Sequence, residues 1–189
     1  YVYIWKNYDN LAILALYVDG ILIAGYSPDK IVITKNFLAS RFKMKDMGLA
    51  TYVLGIRISR DRNSKLLYLD QEKYLDKVLK RFNMDNSNSL GTPICKGQSL
   101  SKSMSPQTKS DIEEMRNVPY AQAVGSLMYA MTSTRPDICH AVGLVRRFQS
   151  NPGKEHWQAV KRIFRYLKGT KNLKLCFGLC DLDIKGYTD

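Results

Sequence analysis

The residues best able to do chemistry stand at positions 17–20, Tyr17-Val18-Asp19-Gly20, between two apolar runs at 11–18 and 21–25. A carboxylate at a hairpin tip can hold a divalent metal for phosphoryl transfer, in which two ions roughly 3.5–4 Å apart clamp the attacking and leaving oxygens. Such a centre needs several carboxylates, and Asp19 by itself is not enough. The same residues have a structural reading, because Asp-Gly is a favoured two-residue hairpin turn in which both central positions take positive φ.

Charge suggests a second chemistry. Segment 154–174 holds seven cations, Lys154, Lys161, Arg162, Arg165, Lys168, Lys171 and Lys174, against one anion, Glu155. Lys161, Arg162 and Arg165 project away from an apolar stripe of Trp157, Val160, Phe164 and Leu167, and Lys168 lies at its edge. Such a face can track phosphates without reading bases, and it is equally the plain solvated side of a helix. Lys73, Lys77, Lys80 and Arg81 form a comparable strip on an earlier helix. His140 and His156 are read as packing or capping residues rather than ligands. No nucleophile triad and no glycine-rich phosphate loop has a local signature. Cys95, Cys139, Cys176 and Cys180 match neither a zinc site nor a redox pair in their spacing, so reduced, mostly buried thiols are expected.

These groups must be positioned by an α+β chain. Strands at 2–5, 11–18 and 21–25 form an antiparallel meander. Ser27-Pro28 is an N-cap followed by proline at the first helical position, with Ile31, Leu38 and Phe42 as a rough stripe. Residues 52–59 and 66–69 form a second hairpin about the turn 60–65, and Asp70 is placed to cap the helix 71–82. That helix buries Tyr74, Leu75, Val78, Leu79 and Phe82. From 86 to 118 the composition turns to Ser, Gly, Pro and Lys, which reads as a linker or a long surface excursion and as the main boundary. Residues 120–131 are apolar nearly all round and are expected to be buried. Pro136 restarts a helix with Ile138, Ala141, Val142, Val145 and Phe148 inward. The last helix stops at Gly169 as a C-terminal cap. Residues 173–177 and 184–187 read as strands of whatever follows.

The full chain of 189 residues, with 45% hydrophobic and 24% charged residues, is too apolar to be wholly disordered. Its net charge of +12 makes a polyanion, most often nucleic acid, the leading partner class. The longest apolar stretch, 11–25, is interrupted by Asp19 and falls short of the ~20 residues of a spanning helix, so no membrane association is expected. No secretory signal opens the chain, which points to an intracellular protein, cytoplasmic or nuclear. With Tyr1 first and no methionine before Met44, the chain reads as a fragment of a longer polypeptide.

Taken in order, these segments resemble the reverse transcriptase region of copia-type long-terminal-repeat retrotransposon Pol polyproteins. Residues 16–25 are similar to that family's Tyr-Val-Asp-Asp hairpin. Phe42-Lys43-Met44-Lys45-Asp46-Met47-Gly48 and Tyr52-Val53-Leu54-Gly55-Ile56 resemble the continuation of the palm, and Gln71-Glu72-Lys73-Tyr74 with Lys80-Arg81-Phe82-Asn83-Met84 the helix that follows. Thr92-Pro93, Val124-Gly125-Ser126-Leu127-Met128-Tyr129, Thr134-Arg135-Pro136-Asp137-Ile138, His156-Trp157 and Arg165-Tyr166-Leu167-Lys168-Gly169-Thr170 complete the series towards ribonuclease H. The resemblance implies a palm remnant and thumb-like region over 1–85, the linker over 86–118, a helical connection over 119–180 and the start of a ribonuclease H domain over 181–189. It implies Mg²⁺ as cofactor, an RNA or DNA primer-template and the remainder of the Pol polyprotein as partners, and Asp19 and Asp189 as catalytic, metal-holding carboxylates. It also implies that Lys73, Lys77, Lys80, Arg81, Lys161, Arg162, Arg165 and Lys168 contact nucleic acid. One departure stands out: Gly20 occupies the place of the second hairpin aspartate. The expected activity is therefore an RNA-directed DNA polymerase lineage rendered inactive. The alternatives are a non-catalytic nucleic-acid-binding remnant and an unselected pseudogene product.

Overall fold

The computed structural model describes residues 1–7 and 10–178. The chain divides into two compact units, Tyr1–Ala50 and Thr51–Asp189.

In the first unit β1 (Val2–Asn7), β2 (Asn10–Tyr17) and β3 (Gly20–Gly25) form an antiparallel sheet in the order β1-β2-β3. Strand register sets Tyr3 opposite Leu14 and Leu14 opposite Ile23, so these residues and Trp5 share one face. Helix α1 (Pro28–Arg41) starts as its sequence dictates, with the Ser27 hydroxyl accepting from the Lys30 N–H at 3.4 Å and Pro28 in the first turn. The Lys30 ammonium sits 5.7 Å from the Trp5 ring centre, which puts α1 on the Tyr3–Trp5 face. A cavity of about 210 Å³, lined by Tyr3, Trp5, Leu14, Ile23 and Thr34 among others, remains there. No described residue of this unit is buried.

The expected turn at Asp19-Gly20 is displaced by one residue. Apolar pairing of Leu14 with Ile23 and Leu16 with Ile21 fixes Tyr17 opposite Gly20, which leaves Val18 and Asp19 as the two loop residues. Val18 carries the positive φ of 53°, unusual for a β-branched residue, and Gly20 is the first residue of β3.

The second unit joins a small sheet to a helical core. Strands β4 (Tyr52–Val53), β5 (Ile56–Asp61), β6 (Leu66–Asp70) and β7 (Leu175–Phe177) pair antiparallel in that order. Helices α2 (Glu72–Arg81), α3 (Lys109–Arg116), α4 (Tyr120–Ser133), α5 (Cys139–Val145) and α6 (Lys154–Gly169) follow. The core forms where their apolar stripes meet: Leu75, Val78 and Leu79 from α2, Val124 and Leu127 from α4, Val142 from α5, and Val160, Ile163, Phe164 and Leu167 from α6. Phe82 stacks on Phe164 at 5.2 Å, and the Tyr120 hydroxyl donates to the Val145 carbonyl at 2.8 Å.

Several local expectations are corrected. Residues 52–59 are two strands, because Leu54 and Gly55 both take positive φ and turn the chain back. Asp70 ends β6 and Gln71 holds the N-cap position without a side-chain cap bond, although Asp70 Oδ1 still accepts the Glu72 N–H of the first turn at 3.4 Å. The 86–118 segment is packed structure: Thr108 and Asp111 form a capping box that starts α3, while Ile94, Leu100 and Val118 lie against the core. Helix α4 is buried on one face only, with Ala121 and Gly125 exposed. Gly169 is the last helical residue, and Thr170 follows as the cap. A Cβ at 169 would stand 2.9 Å from the Ser89 Cβ, so close packing explains the glycine. Residues 175–177 belong to the same sheet as β6. Cys95, Cys139 and Cys176 are free and exposed, not buried. The expected strand at 184–187, Cys180 and Asp189 lie outside the described residues.

Candidate functional site

The hairpin between β2 and β3 presents Asp19 to solvent, one residue past the strained Val18. Gly20 does not have the positive φ that would demand glycine. A Cβ built there meets only the Tyr17 carbonyl oxygen, at an ordinary 3.6 Å. Aspartate would therefore fit at position 20 without moving the backbone. Among the described residues no group of three or more His, Cys, Asp or Glu side chains is gathered that could hold a metal ion. One exposed carboxylate does not make a Mg²⁺ centre, and the residues at the tip do not fit that cofactor as they stand. His140 and Cys139 are exposed neighbours that take part in no such cluster.

The two basic strips have different environments. On α2, Lys73, Lys77, Lys80 and Arg81 are all exposed, because Leu75, Val78 and Leu79 turn the opposite side of the helix into the core. The Lys73 ammonium lies 4.7 Å from the centre of the Tyr52 ring, on β4. None of the four makes an ion pair with a described carboxylate.

On α6, Lys161, Arg162, Arg165 and Lys168 are half-buried, and the last three are engaged with residues 87–92. Arg165 Nε donates to the Asn88 carbonyl at 2.6 Å, Lys168 Nζ to the Ser87 carbonyl at 2.5 Å, and Arg162 to the Thr92 hydroxyl at 2.9 Å. The Leu90 N–H returns a bond to the Arg165 carbonyl at 3.3 Å. Arg162 Nε is buried without a partner among the described residues. Lys161 lies 5.8 Å from the Trp157 ring centre. Arg165 and Lys168 thus bind the chain's own backbone and Arg162 a side-chain hydroxyl, since a segment read as linker lies across them.

Two polar constellations have no signature in the sequence, and a third is legible only in part. Arg57 Nε donates to both oxygens of the buried Asp70, at 3.1 and 2.9 Å, and its other end pairs with Glu72 at 3.2 Å. Arg135, whose side chain is only 2% exposed, grips Asp137 with two bonds of 2.9 and 2.7 Å and reaches the Thr170 carbonyl and hydroxyl at 3.0 and 2.6 Å. The Tyr166 hydroxyl also donates to Asp137. Burial raises the Asp137 pKa, but the Arg135 and Tyr166 bonds outweigh it and hold the carboxyl below its ordinary 3.8. The third is His156, fully buried and stacked on Phe148 at 3.9 Å. Its capping role agrees with the sequence reading, and its reach to Ser101 in another segment could not have been read there.

Comparison with known proteins places these observations. The model of the reverse transcriptase (RNA-dependent DNA polymerase) family matches residues 2–96. The chain belongs to the reverse transcriptase family. It is 54% identical over 181 residues to the retrovirus-related Pol polyprotein from transposon TNT 1-94 of Nicotiana tabacum, covering 96% of this chain. It is 36% identical over 171 residues, 90% of this chain, to that from transposon RE1 of Arabidopsis thaliana. The chain spans 14% and 11% of the lengths of these two polyproteins. It is also 35% identical to an uncharacterized mitochondrial protein of Arabidopsis thaliana, over 93% of this chain and 72% of that protein. No solved structure matches the chain. Among the described residues no helix is long and apolar enough to cross a membrane.

Proposed function

We propose that this chain is the hairpin-bearing part of a copia-type reverse transcriptase palm, with the thumb and connection that follow it, and that it does not polymerise DNA as it stands. The observation that carries this reading is the solitary Asp19 at the tip of β2–β3, followed by Gly20 where the resemblance calls for a second aspartate. Losing a carboxylate that positions charge-neutralising metals costs orders of magnitude in rate. The parent chemistry is Mg²⁺-dependent addition of deoxynucleotides to a primer, with Asp189 as the first carboxylate of a ribonuclease H centre completed by the rest of the Pol polyprotein. Primer extension on an RNA template with Mg²⁺ tests the reading: no product is expected from the chain. Template-dependent extension that disappears in Asp19→Ala would overturn it. Because position 20 accepts a side chain, Gly20→Asp is expected to leave the melting temperature within about 2 °C of the parent chain.

The exposed strip on α2 favours a second reading, a non-catalytic nucleic-acid-binding module. Lys73, Lys77, Lys80 and Arg81 are free to meet phosphates, whereas Arg162, Arg165 and Lys168 are held internally. Measured against salt, log affinity for a primer-template duplex is expected to lose about 0.9 of slope for each phosphate-contacting α2 cation replaced by glutamine. A slope unchanged in the fourfold variant sinks this reading.

A further inference from the structure

His156 begins α6 in a setting that allows one protonation state. Its Nδ1 accepts the Gly153 backbone N–H at 2.8 Å, so that nitrogen carries no proton. The opposite nitrogen, Nε2, lies 3.1 Å from the Ser101 carbonyl, an acceptor only, and must therefore carry the proton and donate it. The ring is closed in by Phe148 on one face and has no exposed surface. A second proton, on Nδ1, would point directly at the Gly153 N–H, replacing an attraction by two donors facing each other.

What the imidazole holds is a discrete segment. Gly153 lies so close to the 102–104 turn that a Cβ there would stand 1.9 Å from the Met104 carbonyl oxygen. Upstream of that turn, Pro93, Ile94 and Leu100 cover the α5–α6 groove floored by Ala141, Val145 and Ile163, with a gap of only about 10 Å³ between them. Residues 93–105 thus form a flap over apolar core surface, and its far end lies against Gly153 and is fastened by the Ser101–His156 bond.

We propose that this flap is clasped by neutral His156 and released when the imidazole takes up a second proton. The charged groups on the elements packed against His156 are Lys154 and Glu155 on α6, Lys102 in the 102–104 turn, and Arg146 and Arg147 beside Phe148. Lys154 is paired with Glu114 of α3 and attracted by Asp111. Of these, Glu155 favours the imidazolium, as does the Ser101 bond. Burial outweighs both and keeps the imidazole pKa below its ordinary 6.5. The clasp is consequently intact above about pH 6.5 and loosens as the pH falls through the lower folded value.

Hydrogen exchange of the 189-residue chain, corrected for intrinsic rates, tests this at pH 7.5 and 5.0. Amides in 97–106 are expected to exchange at least about tenfold faster at pH 5.0, while those of α4 keep their protection. In His156→Gln, which cannot titrate, the pH dependence of 97–106 is expected to vanish. Equal protection of the segment at both pH values overturns the proposal, as does equal loss in α4, or a pH dependence that survives the substitution. Imidazole nitrogen shifts of the unsubstituted chain give an independent reading should the variant fail to fold. The neutral Nε2–H form is expected at pH 7.5, and an Nδ1–H or doubly protonated ring there refutes the clasp.

Discussion

Ile4, Trp5 and Phe37 of the first unit are 66%, 45% and 59% exposed, whereas Val124, Leu127 and Phe164 of the second have no exposed surface. Both units are rich in large apolar side chains, so composition does not separate them. The difference is in layers: the three-stranded sheet of residues 1–50 has one helix on one face, while α2, α4, α5 and α6 close around a common core. Asp19 lies in the unit that encloses nothing of its own. A reactive carboxylate held to within a fraction of an ångström needs locked neighbours. The rigidity of the hairpin tip therefore depends on what packs over the sheet, and the helical unit supplies its own.

The largest expected effect contrasts the cores directly. Leu127→Ala is expected to cost about 3–4 kcal/mol in urea unfolding, and Leu14→Ala, half-buried on β2, less than half of that. Equal costs would erase the distinction between the units. Next comes Gly153→Ala, expected to lose about 2–3 kcal/mol because the new methyl group overlaps the Met104 carbonyl. Arg135→Met is expected to cost about 2 kcal/mol by leaving Asp137 without its guanidinium. Its pH signature is distinctive. The folded Asp137 pKa lies below 3.8, so its stabilisation is complete above that value and lost as pH falls through the lower one; acid melts should show this loss in the parent chain and much less in the variant. The smallest effect has the opposite sign: Val18→Gly relieves a positive φ and is expected to stabilise the hairpin by about 1 kcal/mol, seen as slower amide exchange in β2 and β3.

Strongly periodic elements were legible in the sequence. Helices α2 and α6 followed from their stripes, and α1 from Ser27-Pro28, because each is decided by neighbours within a turn or two. Helix α3 was missed although Thr108 and Asp111 spell a capping box, since its eight residues offer only Ile112 and Met115 as apolar signal. The turn falls at 18–19 and not at Asp19-Gly20 because pairing across β2 and β3 sets the register and overrides the local Asp-Gly preference. Asp19 could be singled out from type and position alone. Whether Arg162, Arg165 and Lys168 face solvent could not, because their partners at 87–92 lie some 70 to 81 residues away.

Those three bonds have a consequence for ionic strength. Ordinary surface ion pairs weaken as salt screens opposite charges. The α6 side chains are held by carbonyl and hydroxyl oxygens, so the attachment of 87–92 does not rely on long-range attraction. Among the described residues no carboxylate pairs with these three cations, and they repel one another along the helix. Added salt screens that repulsion and leaves the fastening in place. The helical unit should grow firmer between dilute buffer and a few tenths molar sodium chloride, the range in which any grip on phosphates loosens.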